Sequence, residues 1–327
     1  MNKPLVSIVT PSFNQGHFIE ETLLSVKNQT YPYIEHMVID AGSSDETLTI
    51  LKRYEGIYNL RWISEPDKGM YDAINKGMQI AKGEILAYLN TDDSYFPWTV
   101  QTAVSYLIKN PGFGLVFGDH LNHYQNGKMG LVIQPPYRLK LLRRTGWSLP
   151  QPTVFWRRKV FEALGDFDAK LKIIGDWDFW MRAASKFKIG QIREFQAIMQ
   201  IHPDQKTAAK KGELFCELEE RLKRYNPPEE LNPYQKFFEL KVYAWTWQRL
   251  YMAKFLFSYL LQKLRFPNRS WSKFIGLNGF VLASWWNILI GFFPFGHRGG
   301  DKWLIERKGQ TYPSRNRKHR IEERAMT

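Results

Sequence analysis

Residues 85–93 read Ile85-Leu86-Ala87-Tyr88-Leu89-Asn90-Thr91-Asp92-Asp93, an apolar run closed by two adjacent carboxylates. Ile85–Leu89 reads as a buried strand. The strand lies in a repeating pattern of strand, loop and helix. On its N-terminal side, Leu5–Val9 is an apolar run rich in β-branched residues, followed by a loop at Pro11–Gly16 and the helical pattern Phe18–Lys27. Ile34–Ile39 is the second strand, turning at Gly42-Ser43-Ser44, and Ser44 or Asp45 is placed to cap a helix over Glu46–Tyr54. Leu60–Ile63 and Met70–Ile80 follow as strand and helix; beyond Asp93 come a helix at Trp98–Lys109 and a strand at Leu115–Phe117. Short strands alternating with helices predict an α/β fold with a mostly parallel central sheet flanked by helices. Ligands of such sheets gather beyond the carboxyl ends of the strands.

Further along, the periodicity is less regular. A hairpin is expected within Leu121–Pro136, turning at Asn126-Gly127, then a short helix at Tyr137–Arg144 and a strand at Thr153–Trp156. Arg158–Leu164 is helical and ends at Gly165; Trp177–Lys186 is helical with Asp176 at its start; Ile192–Ile201 is extended; Gly212–Tyr225 is a polar-faced helix stopped by Pro227-Pro228. These features suggest one domain over 1–225, regular to about 110 and less regular over about 111–225. A helical, aromatic-rich appendage over 232–300 and a basic tail over 301–327 follow. The apolar segment Phe274–Phe295 is long enough to span a bilayer but is interrupted by Asn278, Gly279, Asn287 and Gly291. A buried helical hairpin, an in-plane membrane helix and a membrane span all stay open, as does homodimerisation through this region.

Composition narrows the class. The 327-residue chain is 44% hydrophobic and 24% charged, ordinary globular values, with a net charge of +14. That charge suits an anionic membrane surface or a phosphorylated acceptor, and no zinc-finger spacing or recognition-helix arrangement points to nucleic acid. The single cysteine, Cys216, excludes an intrachain disulfide. The N-terminus reads as a strand entering the fold rather than a signal peptide, so a cytoplasmic protein, peripheral on the inner face of the plasma membrane, is expected.

The adjacent Asp92 and Asp93 repel one another and need a cation or solvent to share them. Mg²⁺ or Mn²⁺ suits carboxylates and phosphates together. Asp40 is a further carboxylate at a strand end, and Thr10, Pro11 and Asn14 follow the first strand into the same crevice. No G-x-G-x-x-G follows that strand, and no G-x-x-x-x-G-K-[ST] occurs, which argues against a dinucleotide dehydrogenase and a P-loop enzyme.

Four segments together resemble the family 2 glycosyltransferases, which have the GT-A nucleotide-diphospho-sugar-binding fold. They are VSIVTPSFNQGHFIEETLLSVKNQTY, VIDAGSSDET, SEPDKGMYDAINKGMQIAKGEILAYLNTDD and FWRRKVFEALGDFDAKLKIIGDWDFWMR, in family order and within about residues 4–205. The resemblance implies a catalytic domain over 1–225 with a nucleotide-binding part over about 1–110 and an acceptor-side part over about 111–225, in which Thr10, Pro11 and Asn14 lie beneath the donor nucleotide and Asp40 meets the base. Asp67, Asp72 and Asn75 lie near the donor, Asp92 beside the ribose or metal, and Asp93 is the direct metal ligand. It implies Asp176 as general base, with Gly175 where the family usually has an acid. Asp178 supports Asp176 or simply occupies the helix's first turn. His202 reaches metal or diphosphate in some enzymes of this fold, Gln151 could touch donor sugar or acceptor, and Arg157, Arg158 and Lys206 are candidate phosphate contacts. The activity so implied is inverting transfer from a nucleotide-diphospho-sugar, UDP favoured on family frequency, to a saccharide or polyprenyl-diphosphate-linked saccharide in surface-polysaccharide synthesis. A nucleotidyltransferase and a non-catalytic carbohydrate-binding or scaffold protein of the same fold are the rival readings.

Overall fold

The computed structural model describes residues 3–139, 142–143 and 148–225. The expectations for 232–300 and 301–327, Phe274–Phe295 included, lie outside the described residues. Among the described residues, no helix is long and apolar enough to cross a membrane.

Four strands make the parallel part of the sheet: β1 (Val6–Ser12), β2 (Ile34–Asp40), β3 (Leu60–Ser64) and β4 (Ile85–Tyr88). β1 pairs with β2 and with β4, and β2 with β3, all parallel. The helices α1 (Gly16–Lys27), α2 (Thr47–Tyr54) and α3 (Met70–Ile80) connect them. β1 is buried along its whole length, as a strand covered on both faces must be. Asp45 does not cap α2 from the N-cap position, which is Glu46; its carboxylate instead accepts from Thr47 N at 3.0 Å and from Gly16 N at 2.9 Å, tying α1 to α2.

Beyond β4 the sheet becomes mixed. Its order is β3-β2-β1-β4-β8-β6-β9-β5, with β7 paired to β6. The short strand β5 (Asp93–Tyr95) leads to α4 (Thr99–Lys109) and then to β6 (Phe113–Tyr124). β6 is far longer than the expected Leu115–Phe117, because it pairs with β9 (Lys188–Ile201) as well as forming a hairpin with β7 (Met129–Val132). The hairpin turns where expected, with Gly127 at φ 77°, a left-handed conformation that glycine adopts without strain. The Thr153–Trp156 segment splits into a 3-10 turn, Gln151–Thr153, and β8 (Phe155–Arg157). Then come α5 (Arg158–Leu164), α6 (Gly175–Lys186), α7 (Lys206–Ala209) and α8 (Lys211–Tyr225).

Two contacts hold α3 in place. Gly77 lets it lie directly on β1, since a Cβ there would be 2.4 Å from Val9 Cγ1. Asn75 joins α3 to the segment before α6: its Nδ2 donates to Phe167 O at 2.8 Å and its Oδ1 accepts from Phe167 N at 2.9 Å. The largest core cluster surrounds this junction, with Tyr71, Tyr88, Trp156, Phe167, Phe179 and Trp180 all buried. Gly77→Val should therefore lower the free energy of urea unfolding by about 2–3 kcal/mol through overpacking against Val9.

Candidate functional site

The site lies at the carboxyl ends of β1, β2 and β4. Strand register puts Ser12 opposite Asp40, so the loops that follow β1 and β2 are neighbours. They are stitched by Asp40. Its buried Oδ2 accepts from Gly42 N, Ser43 N and Ser64 Oγ at 3.1, 2.8 and 2.7 Å, and its Oδ1 accepts from Ser43 Oγ. Ser43 Oγ in turn accepts from Asn14 N at 2.7 Å, while Asn14 Oδ1 accepts from Ser44 N at 2.9 Å. Asn14 has φ 51°, so this stitching holds it in the left-handed region. Thr10 is buried, with Oγ1 2.9 Å from His36 Nε2; His36 is kept neutral by burial, which pushes its pKa down to about 3. Pro11 is buried on β1 beside it.

Next to these loops, Asp67 is half-buried and accepts from Gly69 N at 2.7 Å, and burial holds its carboxyl above the usual range. Asp72 accepts from Lys68 N at 3.1 Å. Gly69, at φ 121°, makes the turn into α3 that brings these groups together. The amide of Asn75, by contrast, is fully engaged with Phe167.

Asp92 and His202 meet from opposite ends of the chain. His202, just after β9, is buried and places Nε2 3.1 Å from Asp92 Oδ2, with Phe18 packed on its ring at 4.7 Å. Asp93 is buried on β5, and burial, reinforced by the charge of Asp92, pushes its carboxyl well above the ordinary carboxylate range. Asp93 Oδ1, Asn90 Oδ1 and His202 Nδ1 are buried without a hydrogen-bond partner. Asn90 Nδ2 donates to Gln151 Oε1 at 3.1 Å, and Gln151 Nε2 donates to Tyr88 O at 2.7 Å, so Gln151 braces the Asp-Asp turn against the end of β4.

These groups fit a divalent ion. Asp93 leaves one buried carboxylate oxygen without a donor next to Asp92, which His202 meets, and a hard divalent ion suits such an oxygen. Among the described residues, no three His, Cys, Asp or Glu side chains form a ready-made cage. An ion of this kind takes its remaining ligands from phosphate and water.

Asp176 is in the first turn of α6, which begins at Gly175, two residues before the expected Trp177. Its Oδ1 accepts from Trp177 N at 2.7 Å, and burial raises its pKa to about 6. Tyr88, at the end of β4, feels the charges of both Asp176 and Asp93. Asp178 points elsewhere, accepting from Arg182 Nε at 3.0 Å and Arg221 Nη1 at 3.2 Å. The guanidinium groups of Arg157 and Arg158 are spent on main-chain carbonyls, of Phe113 and Leu107 and of Gly83 and Ala81. Lys206 is different: with Lys68, Lys172 and Lys210 it lines a pocket of about 220 Å³ over Met70, Tyr71 and Leu171, and it feels Asp67 and Asp92. Tyr71, Lys172 and Lys210 carry no sequence signal of their own that would single them out.

Comparison with known proteins shows the family of this chain. A family model described as glycosyl transferase family 2 matches residues 7–165. A PGL/p-HBAD biosynthesis glycosyltransferase of Mycobacterium tuberculosis is 30% identical over 188 residues, which are 57% of this chain and 72% of the relative. The chain belongs to glycosyl transferase family 2.

Solved structures agree with the GT-A architecture expected of a family 2 glycosyltransferase. S. aureus TarS 1-349 in complex with UDP-GlcNAc superposes with a TM-score of 0.57 at 21% identity, over 71% of this chain and 69% of that one. The mannosyltransferase PcManGT from Pyrobaculum calidifontis, in complex with GDP-Man and Mn2+, gives 0.55 at 18% identity over 88% of each chain. At these identities the likeness is one of fold. The residues matched by the family 2 model include the loops stitched by Asp40 and the Asp92-Asp93 turn.

Replacing Asp40 with alanine should strand the donors that converge on it. The expected loss is about 2–4 kcal/mol in urea unfolding, and a stability within about 0.5 kcal/mol of wild type would show that the Asp40 network contributes little to folding.

Proposed function

We propose that this glycosyltransferase moves a sugar from a nucleotide-diphosphate donor, a UDP-sugar favoured, to a hydroxyl of a saccharide or lipid-linked saccharide, with inversion at the anomeric carbon. The observation that carries this reading is the disposition of Asp176 and the Asp92-Asp93 turn about Tyr88 at the end of β4. On this reading a proton acceptor and an anion-neutralising site would serve the same strand end.

Asp93 and His202 would hold a Mn²⁺ or Mg²⁺ ion, with Asp92 beside the ribose or the ion, and such an ion would supply positive charge against the departing diphosphate. Lys206 and Lys68, which line one pocket, would bring further positive charge to the same side. As the acceptor oxygen bonds to the anomeric carbon, the bond from that carbon to the diphosphate oxygen breaks. The diphosphate keeps the electron pair, and the acceptor proton passes to the Asp176 carboxylate. Attack from the face opposite the leaving group inverts the centre, so no covalent nucleophile is required. A carboxyl titrating at about 6 retains more basicity than an ordinary carboxylate while being ionised near neutrality.

Donor-site residues Thr10, Pro11, Asn14, Asp40, Asp67 and Asp72 fit as the nucleotide side, Asn75 through its hold on Phe167, and Gln151 through its brace on Asn90. The acceptor class, a role in surface-polysaccharide synthesis and attachment to an anionic membrane face belong to the same proposal; the +14 charge supports them.

Calorimetry with UDP, GDP and dTDP, with and without Mn²⁺, tests the donor site in the full chain. Metal-dependent binding of one nucleotide is expected, and failure to bind any of the three would overturn the reading. Asp176→Asn should keep that affinity within about twofold and lower transfer by about 10²–10⁴-fold. The active base is the deprotonated form, so wild-type kcat should fall below about pH 6 as Asp176 takes up a proton. Near-normal turnover in the asparagine variant would remove Asp176 as base.

A further inference from the structure

The lead-in to α6 is fastened from α8, a helix beyond the stretch matched by the family model. Glu217 of α8 accepts three main-chain hydrogen bonds. Its Oε1 accepts from Lys172 N at 2.8 Å, and its Oε2 from Ile173 N and Ile174 N at 3.1 and 3.2 Å. Ile174 is the N-cap of α6, and Asp176 follows two residues later. Isoleucine has no side-chain acceptor to offer at that position. The carbonyl of Ile173 is held separately, by the Tyr71 hydroxyl at 2.8 Å. One turn further along α8, Arg221 donates to Asp178 at 3.2 Å and also to Asp168. Contacts from α8 therefore fasten the chain on both sides of Asp176, at 172–174 and at 178. The helix is itself anchored, with Leu222 buried and Leu214, Leu218 and Tyr225 packed on the main core.

From this geometry we propose that Glu217 is a positioning residue for Asp176: by gathering the N–H groups of 172–174 it fixes the main chain that carries the carboxylate. The proposal rests on Asp176 as the base. Gly175 explains why the main chain has this task. An added Cβ there would be 2.6 Å from Tyr71 Cε2, so no side chain at 175 steers its neighbour. Three N–H groups on one half-buried carboxylate make charge-assisted bonds that a neutral side chain does not reproduce. A displacement of about 1 Å that originates away from the reacting atoms can cost about 10²-fold in rate. Glu219 and Glu220 of the same helix differ, being exposed and paired with Lys223 and Arg224 on α8 itself.

Glu217→Ala removes the acceptor, and Glu220→Ala is the control for losing a charge from α8. Hydrogen exchange in the full-length protein reads the clamp directly. The N–H groups of Ile173 and Ile174 should exchange at least about tenfold faster in Glu217→Ala and at the wild-type rate in Glu220→Ala. The Asp176 carboxyl, followed by ¹³C NMR and assigned with Asp176→Asn, titrates at about 6 because it is buried. A lead-in released from Glu217 lets water reach it, so the midpoint should fall by about one pH unit. Tyr71 and Tyr88, the titratable groups beside Asp176, are unchanged by the substitution. The kcat should drop by about 10–100-fold while UDP affinity in Mn²⁺ stays within about twofold. Glu217→Gln keeps the length and one acceptor oxygen; it should fall between alanine and wild type, and it carries the comparison if the alanine variant does not fold. A wild-type midpoint and kcat in Glu217→Ala would overturn the inference. An equal loss in Glu220→Ala, or a parallel loss of UDP affinity, would overturn it too and leave Glu217 a general stabiliser of the fold. Exchange and titration require neither donor nor acceptor, so a wild-type protein that binds no nucleotide would count against the proposed function and not against the clamp.

Discussion

The contact on which the rest of the site depends is the grip of α3 on the segment leading to α6. Asn75 satisfies both the N–H and the C=O of Phe167, and Tyr71 bonds Ile173 O from the same helix. A buried side-chain amide that engages both polar groups of one residue leaves that backbone no alternative partner to drift toward. The consequence is that the parallel part of the sheet, which carries the loops stitched by Asp40, and the segment carrying Asp176 are referenced to one helix. Gly77 and Gly175 make this possible from opposite ends. One lets α3 approach β1, and the other lets Tyr71 approach α6.

The carboxylates of the protein divide by how well they are satisfied. Asp40 accepts four hydrogen bonds from its own loop and from β3, and Asp178 is held by two guanidinium groups. Those acids stabilise structure. Asp93 is as deeply buried as either but leaves Oδ1 without a donor, next to a second carboxylate. An under-satisfied buried acid is costly to keep ionised, and such a cost is sustained where a ligand's charge offsets it. Asp176 lies between these cases, with one short main-chain bond and a pKa raised to about 6 by burial. Basic side chains follow the same division: Arg157, Arg158 and Arg221 serve the fold, whereas Lys68 and Lys206 face the pocket.

Much of this was legible from local patterns. The β1-to-β4 run is read from short apolar segments that alternate with helices, because a strand covered on both faces must be apolar throughout. Asn126-Gly127 announces its hairpin, since few residues accept the turn's left-handed backbone. The second half is harder to read. β6 and β9 are long strands that pair over most of their lengths and are partly exposed, so their polar residues dilute any period. Their pairing, between segments about 75 residues apart, leaves no local trace in composition.

The sequence by itself determined the fold class, the family and the acids Asp40, Asp92, Asp93 and Asp176 at the ends of their elements, because strand ends and helix starts are local events with local signatures. Only the tertiary structure decided which polar groups are spent and which are free. It brought His202 to Asp92 across 110 residues, and it consumed Asn75, Arg157 and Arg158 in main-chain hydrogen bonds. It also placed the Tyr71 ring in the space that a side chain at Gly175 would need. Hydrogen-bond satisfaction and steric exclusion are properties of pairs of groups, and in this chain the deciding pairs are far apart in sequence.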